Sequence, residues 1–177
     1  AYTDIPREFT YLGRQKLLGL SNLFWVMAVV LVLVHYMFRH TVFGRRLLAT
    51  GGNLEAARLS GIDTDRMILL SHVLSGAIGA LAAVLWVSRM GSAQPATGKD
   101  WLITSFAVAI VGGTGLAGGS ISALGLLMGA IIIVLIKNGL VMLEANVYYE
   151  QAFLGSIILL AVVVSRVRDI YSERLKD

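Results

Sequence analysis

No cysteine occurs among the 177 residues, which excludes a disulfide framework or a thiolate zinc site and leaves the compartment open. Charge is scarce as well, at 15% of residues where a soluble domain carries about 25%. The scarcity is uneven: from Trp101 to Ile136 there is no Asp, Glu, Lys or Arg at all. As one straight helix that stretch would run ~54 Å, far beyond a hydrocarbon core of ~30 Å, so it must fold back on itself. No nucleophile–base pair, metal-ligand cluster or pair of carboxylates stands out, so nothing here asks to be an enzyme.

What the chain does have is apolar surface, with 56% hydrophobic residues and a mean hydropathy of +0.75. These values exclude disorder and an ordinary soluble domain. They predict an all-α fold, a polytopic transmembrane helical bundle of about five spans within a single domain over 1–177. The spans are expected at Asn22 to Phe38, at Met67 to Val87 behind a cap at Asp63 or Thr64, from Trp101, at Ile121 to Ile136, and at about Val147 to Val164. Trp25, and the run Tyr148, Tyr149 and Glu150, suit interfacial anchors. The remaining segments read as a periplasmic or interfacial stretch (1–21), a cytoplasmic bridge (39–66), an intramembrane Gly-rich turn (112–120) and a cytoplasmic tail (166–177). The chain begins with Ala and a polar stretch, and no small-residue cleavage site follows the first apolar run, so it reads as a piece of a longer protein and not as a signal peptide.

A net charge of +4 and a pI near 9.6 could point to nucleic acid, but basic residues flanking apolar spans are the ordinary topology signal, so no nucleic acid is expected. The bridge holds five of the fifteen Lys and Arg, and the tail four, which supports placing both in the cytoplasm.

The bridge carries the most informative pattern. Asn53 can accept hydrogen bonds from the N–H groups that open a helix, Glu55 would sit at the positive end of its dipole, Arg58 at the negative end, and Gly61 can stop the turn. A helix running only through Asn53, Leu54, Glu55, Ala56, Ala57, Arg58, Leu59, Ser60 and Gly61 is unstable alone, so something must pack against it. That is how a soluble partner could take hold of a membrane body.

Within the spans, Ser71, Ser75, Gly79 and Ala83 recur every four residues with Gly76 and Ala80 alongside, a stripe that suits close helix packing. His35 and His72 lack a neighbouring carboxylate and read as neutral, hydrogen-bonded residues without a proton relay. Gly113–Gly118 fits G-x-G-x-x-G, and Gly113–Ser120 nearly fits a phosphate loop with Gly119 in place of Lys. Neither has the βαβ context or the cation such sites need. Gly112, Gly113, Gly115, Gly118 and Gly119 are instead expected to serve close packing and chain reversal. Gln94, Thr104, Ser105, Thr114, Lys137 and Asn138 are the polar groups that a solute could meet; each could equally satisfy a neighbouring backbone group.

Taken in order, Ala49–Ile62, Ser92-Ala-Gln-Pro95, Gly112-Gly-Thr-Gly-Leu-Ala-Gly-Gly119, Leu124-Gly-Leu-Leu-Met-Gly-Ala130, Lys137-Asn-Gly-Leu140 and Tyr148-Tyr-Glu-Gln151 resemble the C-terminal half of permease subunits of ribose-type sugar ABC importers. The resemblance covers nearly everything from Phe24 onward. It implies two permease subunits in the bacterial inner membrane, ABC ATPase subunits beneath and a periplasmic sugar-binding protein above. Asn53–Gly61 would then be the coupling helix. ATP and Mg would be bound by the partner ATPase, so this chain itself would need no cofactor and no metal. Many members carry a Tyr-Glu-Leu-Asp-like run where this chain has Trp101-Leu-Ile-Thr104, so the resemblance implies a class of solute, a small ribose-like pentose or hexose, and not a particular sugar. Related permeases move nucleosides or branched-chain amino acids. From another class, a membrane scaffold or receptor subunit remains open, although the fixed charges of the short helix argue against a passive scaffold. A secondary transporter would call for charged or ion-binding residues within its spans.

Overall fold

The computed structural model describes residues 7–163 apart from 18, 96, 100, 116–117, 145–148, 150, 154 and 161. The expected cytoplasmic tail, Tyr148 and Glu150 lie outside the described residues, as does part of the last span. The chain divides into two compact units, Ala1–Thr97 and Gly98–Asp177.

The first unit opens with a short helix α1 (Arg7–Arg14) and a two-residue hairpin, β1 (Lys16–Leu17) against β2 (Leu20–Ser21), in which Lys16 pairs with Ser21 and Leu17 with Leu20. Helix α2 (Asn22–His40) follows, capped by the Ser21 hydroxyl, which accepts from the Leu23 N–H. None of its residues is buried. An apolar helix with no buried face has lipid or further protein as its surroundings. Trp25, expected as an interfacial anchor, donates its indole Nε1–H to the Leu17 carbonyl at 3.2 Å.

The bridge holds two helices where one was expected: α3 (Val42–Gly52) and α4 (Leu54–Leu59). Thr41 makes the first junction. Its N–H and its hydroxyl both donate to the Met37 carbonyl, closing α2, while Oγ1 accepts from the Gly44 N–H to open α3. Asn53 makes the second in the same way, its N–H closing α3 on Ala49 and its Oδ1 opening α4. Helix α5 (Thr64–Met90) then runs 27 residues, or about 40 Å, and ends on Gly91 in the left-handed conformation. α2 and α5 make almost no direct contact along their lengths; α1 bridges them at one end and α3 at the other.

The second unit contains α6 (Trp101–Val111) and α7 (Ala123–Met142), packed antiparallel, with a shorter apolar helix at Gln151–Leu160. Its core is Ala107 against Ile133, both with no exposed surface, flanked by Val108, Val111 and Ile158.

Among the described residues three helices, α2, α5 and α7, are long and apolar enough to cross a membrane. α6, with 11 residues and ~16 Å, is about half a crossing, so the uncharged stretch folds back early, at Gly112 and Gly113. The architecture is an all-helical membrane bundle with one minimal hairpin.

Candidate functional site

Helix α4 is too short to stand alone, and its geometry shows what holds it. Asn53 Oδ1 accepts from the Ala56 N–H at 2.9 Å, satisfying one of the amide donors that no helix can satisfy itself. At the other end the Gly61 N–H donates to Arg58 O at 2.9 Å and the Ile62 N–H to Ala57 O at 3.1 Å. This crossed pair is a Schellman closure, and it needs the positive φ of 78° that Gly61 adopts without a Cβ penalty.

Arg58 adds a tether to α5. Its Nε donates to Thr64 Oγ1 at 2.8 Å and its Nη2 pairs with Asp65 Oδ1 at 2.9 Å. The Asp65 side chain is 82% exposed and that of Arg58 56%, so the ion pair contributes at most about 1 kcal/mol. Its effect is orientation. Thr64 is almost wholly buried, and the guanidinium fork fixes α4 against the first turn of α5. Asp63 caps α5 by accepting from the Arg66 N–H at 3.1 Å, and pairs with the Arg66 side chain.

These contacts divide α4 into two sides. Ala57 is buried at 4% exposure, whereas Leu59 is 86% exposed and Glu55, four residues earlier on the same side, is exposed as well. An apolar side chain is thus held outward on a fixed helix, beside a carboxylate. Leu54, Ala56 and Ser60 are exposed too, and the Ser60 hydroxyl donates to Ala56 O. Thr64 and Asp65 are the partners of Arg58 that sequence reasoning missed: Thr64 reads as a possible helix cap, and the ion pair to Asp65 spans seven residues around a turn.

The polar residues expected along a solute path divide between the two units. In the first, Gln94 is exposed and its carbonyl accepts from the Thr97 N–H. In the second, Lys137 Nζ on α7 donates to Thr104 Oγ1 on α6 at 3.2 Å. The Ser105 hydroxyl donates to its own helix at Leu102 O, Thr114 Oγ1 is buried without a hydrogen-bond partner among the described residues, and Asn138 is exposed. His72 Nδ1 lies 2.9 Å from Ile68 O.

The glycines fall into two groups. Gly112 packs directly on α7: a Cβ there would come within 2.6 Å of Gly125 O, and one at Gly129 within 2.5 Å of Val108 O. Gly125 and Gly129, four apart on α7, are therefore the counterpart that lets the backbones meet. Gly113, Gly118 and Gly119 have positive φ and shape the turn, while a Cβ at Gly115 would meet Ser120 Oγ at 3.1 Å. On α5, Gly76 and Gly79 have nothing within 4 Å, and Ser75 and Ala83 are exposed with Ser71 half-buried, so the small-residue stripe has no partner within its own unit among the described residues.

Long apolar helices joined by a capped polar bridge define a polytopic membrane protein. The chain belongs to the family described as the branched-chain amino acid transport system / permease component, which it matches over residues 2–162. It is 37% identical over 163 residues to the ribose import permease protein RbsC of Escherichia coli strain K12, covering 92% of this chain and 51% of that protein. It is 36% identical over 158 residues to the RbsC of Bacillus subtilis strain 168, covering 89% and 49%. To the xylose transport system permease protein XylH of Escherichia coli strain K12 it is 40% identical over 139 residues, covering 77% and 35%. The chain thus spans about half the length of the ribose permeases it matches. No solved structure is significantly similar to it.

Proposed function

We propose that this chain is the C-terminal half of a membrane-spanning permease subunit of a bacterial ABC importer for a small, ribose-like sugar, and that α4 is the helix through which the transporter's ATPase subunits act on it. The observation that carries the reading is the doubly capped α4, tethered by Arg58 to a continuous 27-residue apolar helix, with Leu59 turned outward. A segment that receives force needs fixed geometry on its inner side and a contact surface on its outer side, and α4 has both. The relatives named for ribose and xylose support a sugar as cargo.

In this reading the subunit pairs with a second permease subunit in the inner membrane and receives its solute from a periplasmic binding protein. ATP and Mg are bound by the ATPase partner. This chain supplies the path and the transmission. Within the second unit Thr104, Ser105, Thr114 and Asn138 offer a sparse polar lining, which suits a hydroxylated solute that must be released again. A branched-chain amino acid is the second reading, favoured by the family's own description.

The test is uptake by the full-length subunit reconstituted with its ATPases and binding protein, offered ribose, xylose and leucine separately. ATP-dependent uptake of a pentose is the expected result; uptake of leucine alone would replace the sugar reading. Arg58→Glu places a carboxylate beside Asp65 and is expected to cut solute uptake by about tenfold or more while ATP hydrolysis continues. Unchanged uptake would remove α4 from the coupling role.

A further inference from the structure

Helix α5 is anchored at both ends, and the second anchor has no counterpart in the reading above. At its amino end Arg58 binds Thr64 and Asp65. At its carboxyl end α1 lies across the last turn. Ser88, 1% exposed, donates its hydroxyl to the Phe9 carbonyl at 2.6 Å. Arg14 donates from Nε to Arg89 O at 3.4 Å and from Nη2 to Met90 O at 3.5 Å. Gly13 is buried so close that a Cβ would lie 2.5 Å from the Arg89 nitrogen. The last carbonyls of a helix have no partner within it, and that is where a helix frays. The Gly91 N–H closes part of that end on Val87 O, and a planar guanidinium lies over the next two exposed carbonyls at long range, an approach that the missing Cβ at residue 13 allows.

With α2 and α5 scarcely touching between their ends, α5 is a direct mechanical route from α4 to α1 within this unit, beside the longer one through α3 and α2. A continuous helix of about 40 Å has its hydrogen bonds aligned with its axis, so it carries an axial displacement with little compliance.

We infer that Arg14, with Ser88 and Gly13, is a positioning group that makes α1 the far-side output of the α4 stroke: α4, α5 and α1 move as one body, and α1 shifts at the opposite membrane face when α4 is displaced. This rests on the coupling role proposed for α4 and extends it to residues outside the bridge. Arg14 thereby acts on transport without touching solute or nucleotide.

The experiment uses the full-length permease with its ATPases and binding protein in nanodiscs for the spectroscopy, and the same complex in proteoliposomes for uptake. An environment-sensitive fluorophore is placed on Tyr11→Cys, an exposed position of α1, and two quantities are read: solute moved per ATP hydrolysed, and the change in fluorophore signal on adding ATP. Arg14→Ala is expected to leave basal ATP hydrolysis unchanged, to lower the solute-to-ATP ratio by about fivefold or more, and to abolish the signal change. Arg14→Lys, whose ammonium still reaches a carbonyl, is expected to restore most of both. Should Arg14→Ala fail to accumulate, Ser88→Ala removes a single bond and carries the same two readouts. A wild-type ratio with an intact ATP-dependent signal in the alanine variant would overturn the inference. If Arg58→Glu uncouples transport and Arg14→Ala does not, only the role of α1 falls; if neither uncouples it, the role of α4 falls with it.

Discussion

The surroundings of α4 and the α6–α7 pair are held together by opposite materials. Around α4 the first unit uses side chains: Asn53 and Asp63 as caps, Thr41 as a double closure, Arg58 as a tether. Between α6 and α7 the second unit uses their absence, with Gly112, Gly125 and Gly129 letting two backbones meet. The difference follows the solvent. Where water is at hand, a polar cap competes with hydration and still gains about 1 kcal/mol by ordering the turn. Within lipid no hydrophobic force draws one apolar helix to another, so close backbone approach through small residues supplies the attraction. The polar contact between α6 and α7 from Lys137 to Thr104 lies at the end of the pair away from the glycines.

The strongest challenge to this contrast is Gly125→Leu. Its side chain would be driven into the Gly112 backbone, which a helix pair cannot yield without separating. We expect loss of folded protein in the membrane fraction, consistent with a cost of about 3 kcal/mol or more for overpacking against backbone. Normal accumulation would show that the glycine contact does not hold α6 to α7. Smaller is the effect of Asn53→Ala, which removes a cap but no packing. It is expected to cost about 1 kcal/mol, read as amide exchange about fivefold faster across Leu54–Leu59. Protection equal to wild type would mean that α4 is held by its tether alone. The smallest effect belongs to Gly79→Ala. With nothing within 4 Å in its own unit, the added methyl is expected to raise thermal stability by about 1–3 °C through helix propensity. A fall in the intact transporter would instead reveal a helix lying on the stripe from elsewhere in the assembly.

Much of this was legible in the sequence where the signal is local. Asn53, Glu55, Arg58 and Gly61 lie in or beside one short helix, where residue type and position announce cap, first-turn acid, last-turn base and stop. The long spans were legible because 18 or more apolar residues have few other stable fates in a chain this hydrophobic. Their ends moved outward, to His40, Met90 and Met142, because Arg39, Arg89 and Asn138 continue a helix that hydropathy would stop. α3 was hidden because Thr50, Gly51 and Gly52 are weak helix formers, whereas the helix as a whole is held by buried Gly44 and Thr50 and by its contacts with α2 and α5. Arg14 beside Arg89 could not be read, since the two are 75 positions apart and neither lies in an amphipathic pattern that names its partner. Gly125 and Gly129 carried a readable small-xxx-small spacing, yet only the fold shows that they, more than Gly113, Gly118 or Gly119, face another backbone.

Thr41 and Asn53 each end one helix and begin the next, so α2, α3 and α4 follow one another with a single residue at each junction. A chain articulated this way has no slack in which to hide a change of length. One residue inserted within α3 would rotate everything beyond it by about 100° and carry Leu59 round to a different bearing. Natural variation should therefore exchange residues in this stretch far more readily than it adds or deletes them.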